Sequence, residues 1–138
     1  MSACCSEVGS ALRLAPFDCF QRGLATRRLP RLAIVGQRVA GPDGLWAQFS
    51  VRVQRHRLAE LRFACASCTT LIACCEALAE LNRGCVPDSI CVLDAEALRV
   101  RLPGVPRDKW DRAALAVAAL RAALAPVKRS ILVAPEDA

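Results

Sequence analysis

At 138 residues, formal charge +6 and 54% hydrophobic residues, the chain has the length of one domain, with a core burying about two-thirds of its unfolded-state surface. Four Phe, two Trp and no Tyr accompany nine cysteines, so that core must consist mainly of alanine, leucine and valine, as helices packed closely on a small sheet. No stretch long enough to cross a membrane is free of charge, and an odd, clustered set of cysteines argues against a full disulfide framework.

The N-terminus lacks the basic stretch, apolar segment and cleavage signature of an export signal. The expectation is a cytoplasmic protein with reduced thiols and no membrane association. The densest positive region carries Arg13, Arg22, Arg27, Arg28, Arg31 and Arg38. No stacking aromatics alternate with these arginines, and no finger, helix-turn-helix or phosphate loop accompanies them, so no nucleic-acid partner is expected.

Residues 1–10 are small and polar and read as a flexible tail. Leu12 to Leu24 carries apolar residues at helical spacing, which predicts a short helix starting near Pro16, a residue suited to a first turn. A brief apolar run from Leu32 to Val35 is broken by Gly36, and Pro42, Asp43 and Gly44 form a turn. Leu45 to Gln54 is the clearest strand, with Phe49, Val51 and Val53 alternating against polar neighbours. Arg55, His56 and Arg57 connect it to a second short strand from Leu58 to Phe63. His56, the single histidine, falls at the hairpin end of that strand as a solvated loop residue.

From Ser67 the period changes to three or four residues, through Leu71, Cys74 or Cys75, Leu78 and Leu81 or Asn82. Ser67 is the expected N-cap, and Gly84 the C-terminal stop with positive φ. Cys65 then falls in the strand-to-helix turn and Cys68 in the first helical turn. There, unpaired backbone N–H groups and the helix dipole favour thiolate. Two sulfurs at this spacing suit metal binding, or acceptance of sulfur or a disulfide; Cys74 and Cys75 read as core residues. Asp94 caps a short helix from Ala95 to Val100. Asp108 caps a long final helix whose face bears Trp110, Ala113, Val117, Leu120 and Leu124, ending before Pro126. The last twelve residues read as a tail.

The order of strand pair, FACASCTTLIA at residues 63–73, short helix, LPGV at 102–105 and alanine-rich final helix resembles the IscU-like scaffold proteins of iron–sulfur cluster assembly, related to the NifU N-terminal domain. The likeness covers residues 30–125 of a single domain. It implies an α+β fold with a small antiparallel sheet of about three strands packed against four or five helices. It also implies a nascent iron–sulfur cluster or zinc, held by three cysteines, an aspartate and sometimes a histidine. The family's middle cysteine falls on Cys65. Its first cysteine and its aspartate fall on Pro42 and Gly44, and its closing histidine–cysteine pair falls near Asp108 and Lys109.

The resemblance is thus to a divergent member of that family, one lacking most of the usual ligands. If the layout holds, Cys65 and Cys68 with Asp43 and Asp108 form the expected metal or cofactor site. Lys109, Cys19, Cys85 and Cys91 are additional candidates, and Lys109 can also lower a nearby thiol pKa. Three functions remain open. The first is a non-enzymatic scaffold that holds or transfers iron, zinc, an iron–sulfur species or sulfur, with a sulfur donor or acceptor apoprotein as partner. The second is a cluster-free protein-interaction or regulatory module on the same fold. The third is a thiol redox or sulfur-transfer enzyme using the Cys65/Cys68 pair.

Overall fold

The alternating stretch beginning at Trp46 forms the central strand of an antiparallel sheet, as seen in a computed structural model that describes residues 13–87 and 93–133, with side chains through residue 127. That strand is β3 (Trp46–Gln54). On one edge it pairs with β4 (Arg57–Cys65); on the other it pairs with β1 (Ile34–Val35) and β2 (Val39–Ala40), and every pairing is antiparallel. Between β1 and β2, Gly36 keeps the edge attached by donating its N–H to the Phe49 carbonyl at 2.9 Å. Arg55 and His56, at φ 54° and 64°, form the two-residue β3–β4 turn with both residues left-handed, the twist that matches flanking strands.

Phe49 and Phe63 face one another across this hairpin with ring centroids 5.9 Å apart. They point with Val51 and Leu61 into the core. Two helices cover this apolar face. The central helix α2 (Thr69–Asn82) packs on β4, and α4 (Trp110–Val133) packs on β1, β2 and β3. α1 (Pro16–Thr26) lies against α2, and α3 (Ala95–Arg101) against α4. Two glycines permit these contacts. A Cβ on Gly23 would stand 2.7 Å from Ile72 Cγ2 on α2, and one on Gly36 would stand 2.5 Å from Ala123 Cα on α4.

This is the α+β architecture expected for the IscU-like scaffolds, with a four-stranded sheet and four α-helices among the described residues. Several boundaries differ. β4 continues past Phe63 to Cys65, because the ladder persists through Gln48↔Ala64 and Ala47↔Cys65. Cys65 is therefore the last strand residue, not part of a turn. Cys68, not Ser67, is the N-cap of α2, since the Ser67 hydroxyl instead accepts a hydrogen bond from Arg27 at 3.2 Å. Arg83 and left-handed Gly84 end that helix as expected.

α2 is buried on all sides from Leu71 to Ala79, not along one stripe, because α1, β4 and α4 enclose it. Asp94 caps α3 by accepting the Ala97 N–H at 2.8 Å. Asp108 does not cap α4; it sits in a 3-10 turn, Arg107–Lys109, that precedes it. α4 also runs through Pro126 to Val133. Buried Leu124 and Val127 on either side of the proline hold the backbone to the core, so packing overrides the missing backbone donor. Among the described residues, no helix is long and apolar enough to cross a membrane.

Candidate functional site

Four features meet at one end of the sheet. The Pro42–Gly44 turn leads into β3, whose Ala47 pairs with Cys65 at the end of β4. Cys68 opens α2 three residues later. The start of α4 packs against the turn, because a Cβ on Gly41 would lie 2.8 Å from Leu115 Cδ2. The layout therefore brings the positions of Asp43, Cys65, Cys68 and Asp108 to a common end of the molecule.

The side chains there form a different set of contacts. Cys65 is 4% exposed. Its sulfur accepts a hydrogen bond from the Cys75 thiol of α2, and with the Arg27 charge this holds Cys65 below the ordinary thiol value despite burial. Cys75 is enclosed, and burial pushes its pKa well above the usual value, reinforced by the hydrogen bond it donates to Cys65. Cys68 is half-buried and receives a hydrogen bond from the Arg112 guanidinium. Arg112 is held chiefly by Asp111, 2.7 Å away, and both contacts raise its pKa. Arg112 Nε is buried without a partner. Asp43 and Asp108 are exposed and Lys109 half-buried; Asp43 has a left-handed backbone, φ 58°.

The remaining sulfurs lie elsewhere. Cys19 on α1 is buried against α2, and burial raises its pKa to about 11. Burial likewise raises Cys74 to about 12. Cys85 follows the far end of α2 and its carbonyl accepts the Leu58 N–H at 2.8 Å. It is therefore separated from Cys65 by the length of β4, roughly 20 Å. His56 sits at that same far end. Cys91 lies outside the described residues.

Sequence reasoning passed over Arg27, Arg112 and the role of Cys75. Arg27 entered only as part of the basic region and Arg112 not at all, and nothing along the chain shows that the fold sets Arg112 against Cys68 or brings the Arg27 charge to bear on Cys65. It also passed over a carboxylate pair between α1 and α2. Glu76 is buried, and its pKa rises to about 8 through burial and then through a hydrogen bond shared with Glu80. Burial works against ionisation of Glu80 too, but the bonds from Glu76 and Arg22 keep its pKa low. Arg22 grips Glu80 with two hydrogen bonds, one of them 2.9 Å.

A zinc ion or iron–sulfur cluster needs three or four converging donors. Pro42 and Gly44 offer no side-chain ligand, Cys65 is engaged by Cys75, and Cys68 faces a guanidinium. Among the described residues, no three His, Cys, Asp or Glu side chains are grouped so as to hold a metal ion. The residues present do not fit the group that the scaffold likeness implies.

No curated protein matches the chain. The model of the NifU-like N terminal domain matches residues 21–132, from within α1 nearly to the end of α4. That span, with the sheet and helix order described above, makes this chain a member of the NifU-like N-terminal domain family, and a divergent one.

Proposed function

We propose that this chain is a cluster-free protein-interaction or regulatory module built on the NifU-N-type fold. The observation that carries the reading is that, among the described residues, no three His, Cys, Asp or Glu side chains converge to hold a metal ion, while Cys68 meets the Arg112 guanidinium instead. The Arg112 cation beside Cys68 opposes a bound metal ion there, whereas Arg27, bonded to Ser67, acts on Cys65 only through its charge. The fold then persists for its surface, and its partners are proteins, a sulfur donor or an acceptor apoprotein being the first to test.

A second reading is carriage of a metal, an iron–sulfur species or sulfur by Cys65 and Cys68. The depressed pKa of Cys65 favours it, because a thiolate is the nucleophile and the metal ligand. One experiment separates the two. Wild-type, Cys65→Ser and Cys68→Ser proteins are purified without air from iron-supplemented cells, and iron, zinc and acid-labile sulfide are measured. The module reading expects metal and sulfide far below one per chain in all three, and a melting temperature that EDTA leaves unchanged. Stoichiometric metal or sulfide in the wild type that disappears in Cys65→Ser would overturn it in favour of the carrier.

A further inference from the structure

Beside α1, the first turns of α2 and the loop that follows α3 enclose an open groove of about 240 Å3, lined by Pro16, Phe17, Thr69, Ala73, Val105 and Pro106. Its lining is mostly carbon. Phe17 forms one wall and is 66% exposed, an unusual position for a phenylalanine in a chain with four. The volume is below the roughly 300–1,000 Å3 of small-molecule pockets. It suits one or two side chains of a passing peptide better than an enclosed metabolite.

The groove has a charged rim. The Trp110 indole N–H donates to the Val105 carbonyl at 3.2 Å, fixing the ring beside the groove wall. Trp110 remains 36% exposed; its ring is covered in part by the Arg99 and Arg107 guanidiniums, 4.2 and 5.2 Å from the centroid. This stacking explains why Trp110 does not join Ala113, Val117 and Leu120 in the core. Among the described residues neither Arg99 nor Arg107 pairs with a carboxylate, although Glu96 and Asp108 lie nearby in sequence. The two cations stack on an aromatic ring and, among the described residues, meet no carboxylate within ion-pair distance.

We propose that this groove and rim dock a short acidic peptide segment of a protein partner, one apolar side chain entering beside Phe17 and flanking carboxylates meeting Arg99 and Arg107. Charge complementarity selects the occupant. A carbon-lined cleft rewards an apolar anchor, and two preorganised guanidiniums favour carboxylates in forked geometry. A nucleic-acid strand would use the arginines but leave the cleft empty, and one exposed indole already covered by cations is a poor stacking platform. The proposal rests on the module reading above and names the chemistry of its partner.

The test uses the full chain and fluorescence anisotropy with three fluorescein-labelled probes. These are the heptapeptide Glu-Glu-Leu-Glu-Phe-Glu-Glu, its counterpart with Lys for every Glu, and a single-stranded oligothymidylate. The acidic probe is expected to bind and the other two to fail. Arg99→Glu with Arg107→Glu should weaken binding at least about tenfold, and Phe17→Ala should weaken it several-fold. Phe17 and Arg107 are exposed and Arg99 is half-buried; each variant should keep the wild-type circular dichroism spectrum, which separates lost binding from lost fold.

Several results would overturn the proposal: no binding of the acidic probe, equal binding of the lysine probe, competition by the oligothymidylate, or indifference to all three substitutions. A wild-type dimer made monomeric by Phe17→Ala would also overturn it, by giving the groove to a second copy. Metal content of the same preparation keeps the two claims apart. Probe failure on metal-free protein removes this surface alone, whereas stoichiometric metal removes the module reading.

Discussion

Glu76→Gln tests the contact between α1 and α2. Burial comes first in raising Glu76 from the ordinary carboxylate value of 4.5 to about 8, and the hydrogen bond shared with Glu80 comes second. The groups facing it are Glu80 of its own helix, Arg83 at that helix's C-cap and Thr26 of α1, with Arg22 behind Glu80. The folded chain therefore keeps a proton that the unfolded chain releases above the ordinary value. This stabilisation is complete below that value and is lost as pH rises through about 8.

Each pH unit within the window removes about 1.4 kcal/mol, so a ceiling of about 5 kcal/mol follows if nothing relaxes. Water reaching the pair above pH 7 should reduce the observed loss to about 2 kcal/mol. Glutamine keeps an N–H donor for Glu80 and has no proton to lose. Urea denaturation of wild type and Glu76→Gln at several pH values from about 5 to 8 should give similar stabilities at the acid end. Near pH 8 the variant should exceed wild type by about 2 kcal/mol or more. Parallel curves for the two proteins would show that the pair is ionised throughout, and would refute the reasoning.

Gly36→Ala should cost about 2–3 kcal/mol in the same assay, because its Cβ meets the Ala123 backbone, Cα at 2.5 Å and N at 2.6 Å. Adding Ala123→Gly should rescue only part of the loss, since those backbone atoms stay. His56→Gly should raise stability by about 1 kcal/mol by relieving the left-handed side chain in the β3–β4 turn, seen as a higher melting temperature. Cys75→Ala removes the hydrogen bond that lowers the Cys65 pKa. Mass spectrometry should then show Cys65 reacting more slowly with methyl methanethiosulfonate near neutral pH, and an unchanged rate would dismiss the thiol pair.

Much of the secondary structure was legible because local rules govern it. The alternation of β3, the cap at Asp94, the left-handed stop at Gly84 and Pro16 in a first turn each need only neighbouring residues. The strand–turn–helix around Cys65 and the LPGV loop carried the likeness to the scaffold family, and with it the fold. Boundaries failed where distant residues decided them. β4 reached Cys65 because β3 offered it partners, and α4 passed Pro126 because Leu124 and Val127 were already buried.

Sequence by itself thus determined the architecture and the loss of the usual ligands at Pro42, Gly44 and Lys109, since both depend on residue type and order along the chain. The tertiary structure alone decided what the surviving cysteines touch: Cys75 against Cys65, and Arg112 against Cys68. It also placed Trp110 beneath two arginines at the edge of a groove. Partners brought together from separate elements leave no periodic trace, because their meeting depends on how helices and strands pack and not on spacing within any one of them.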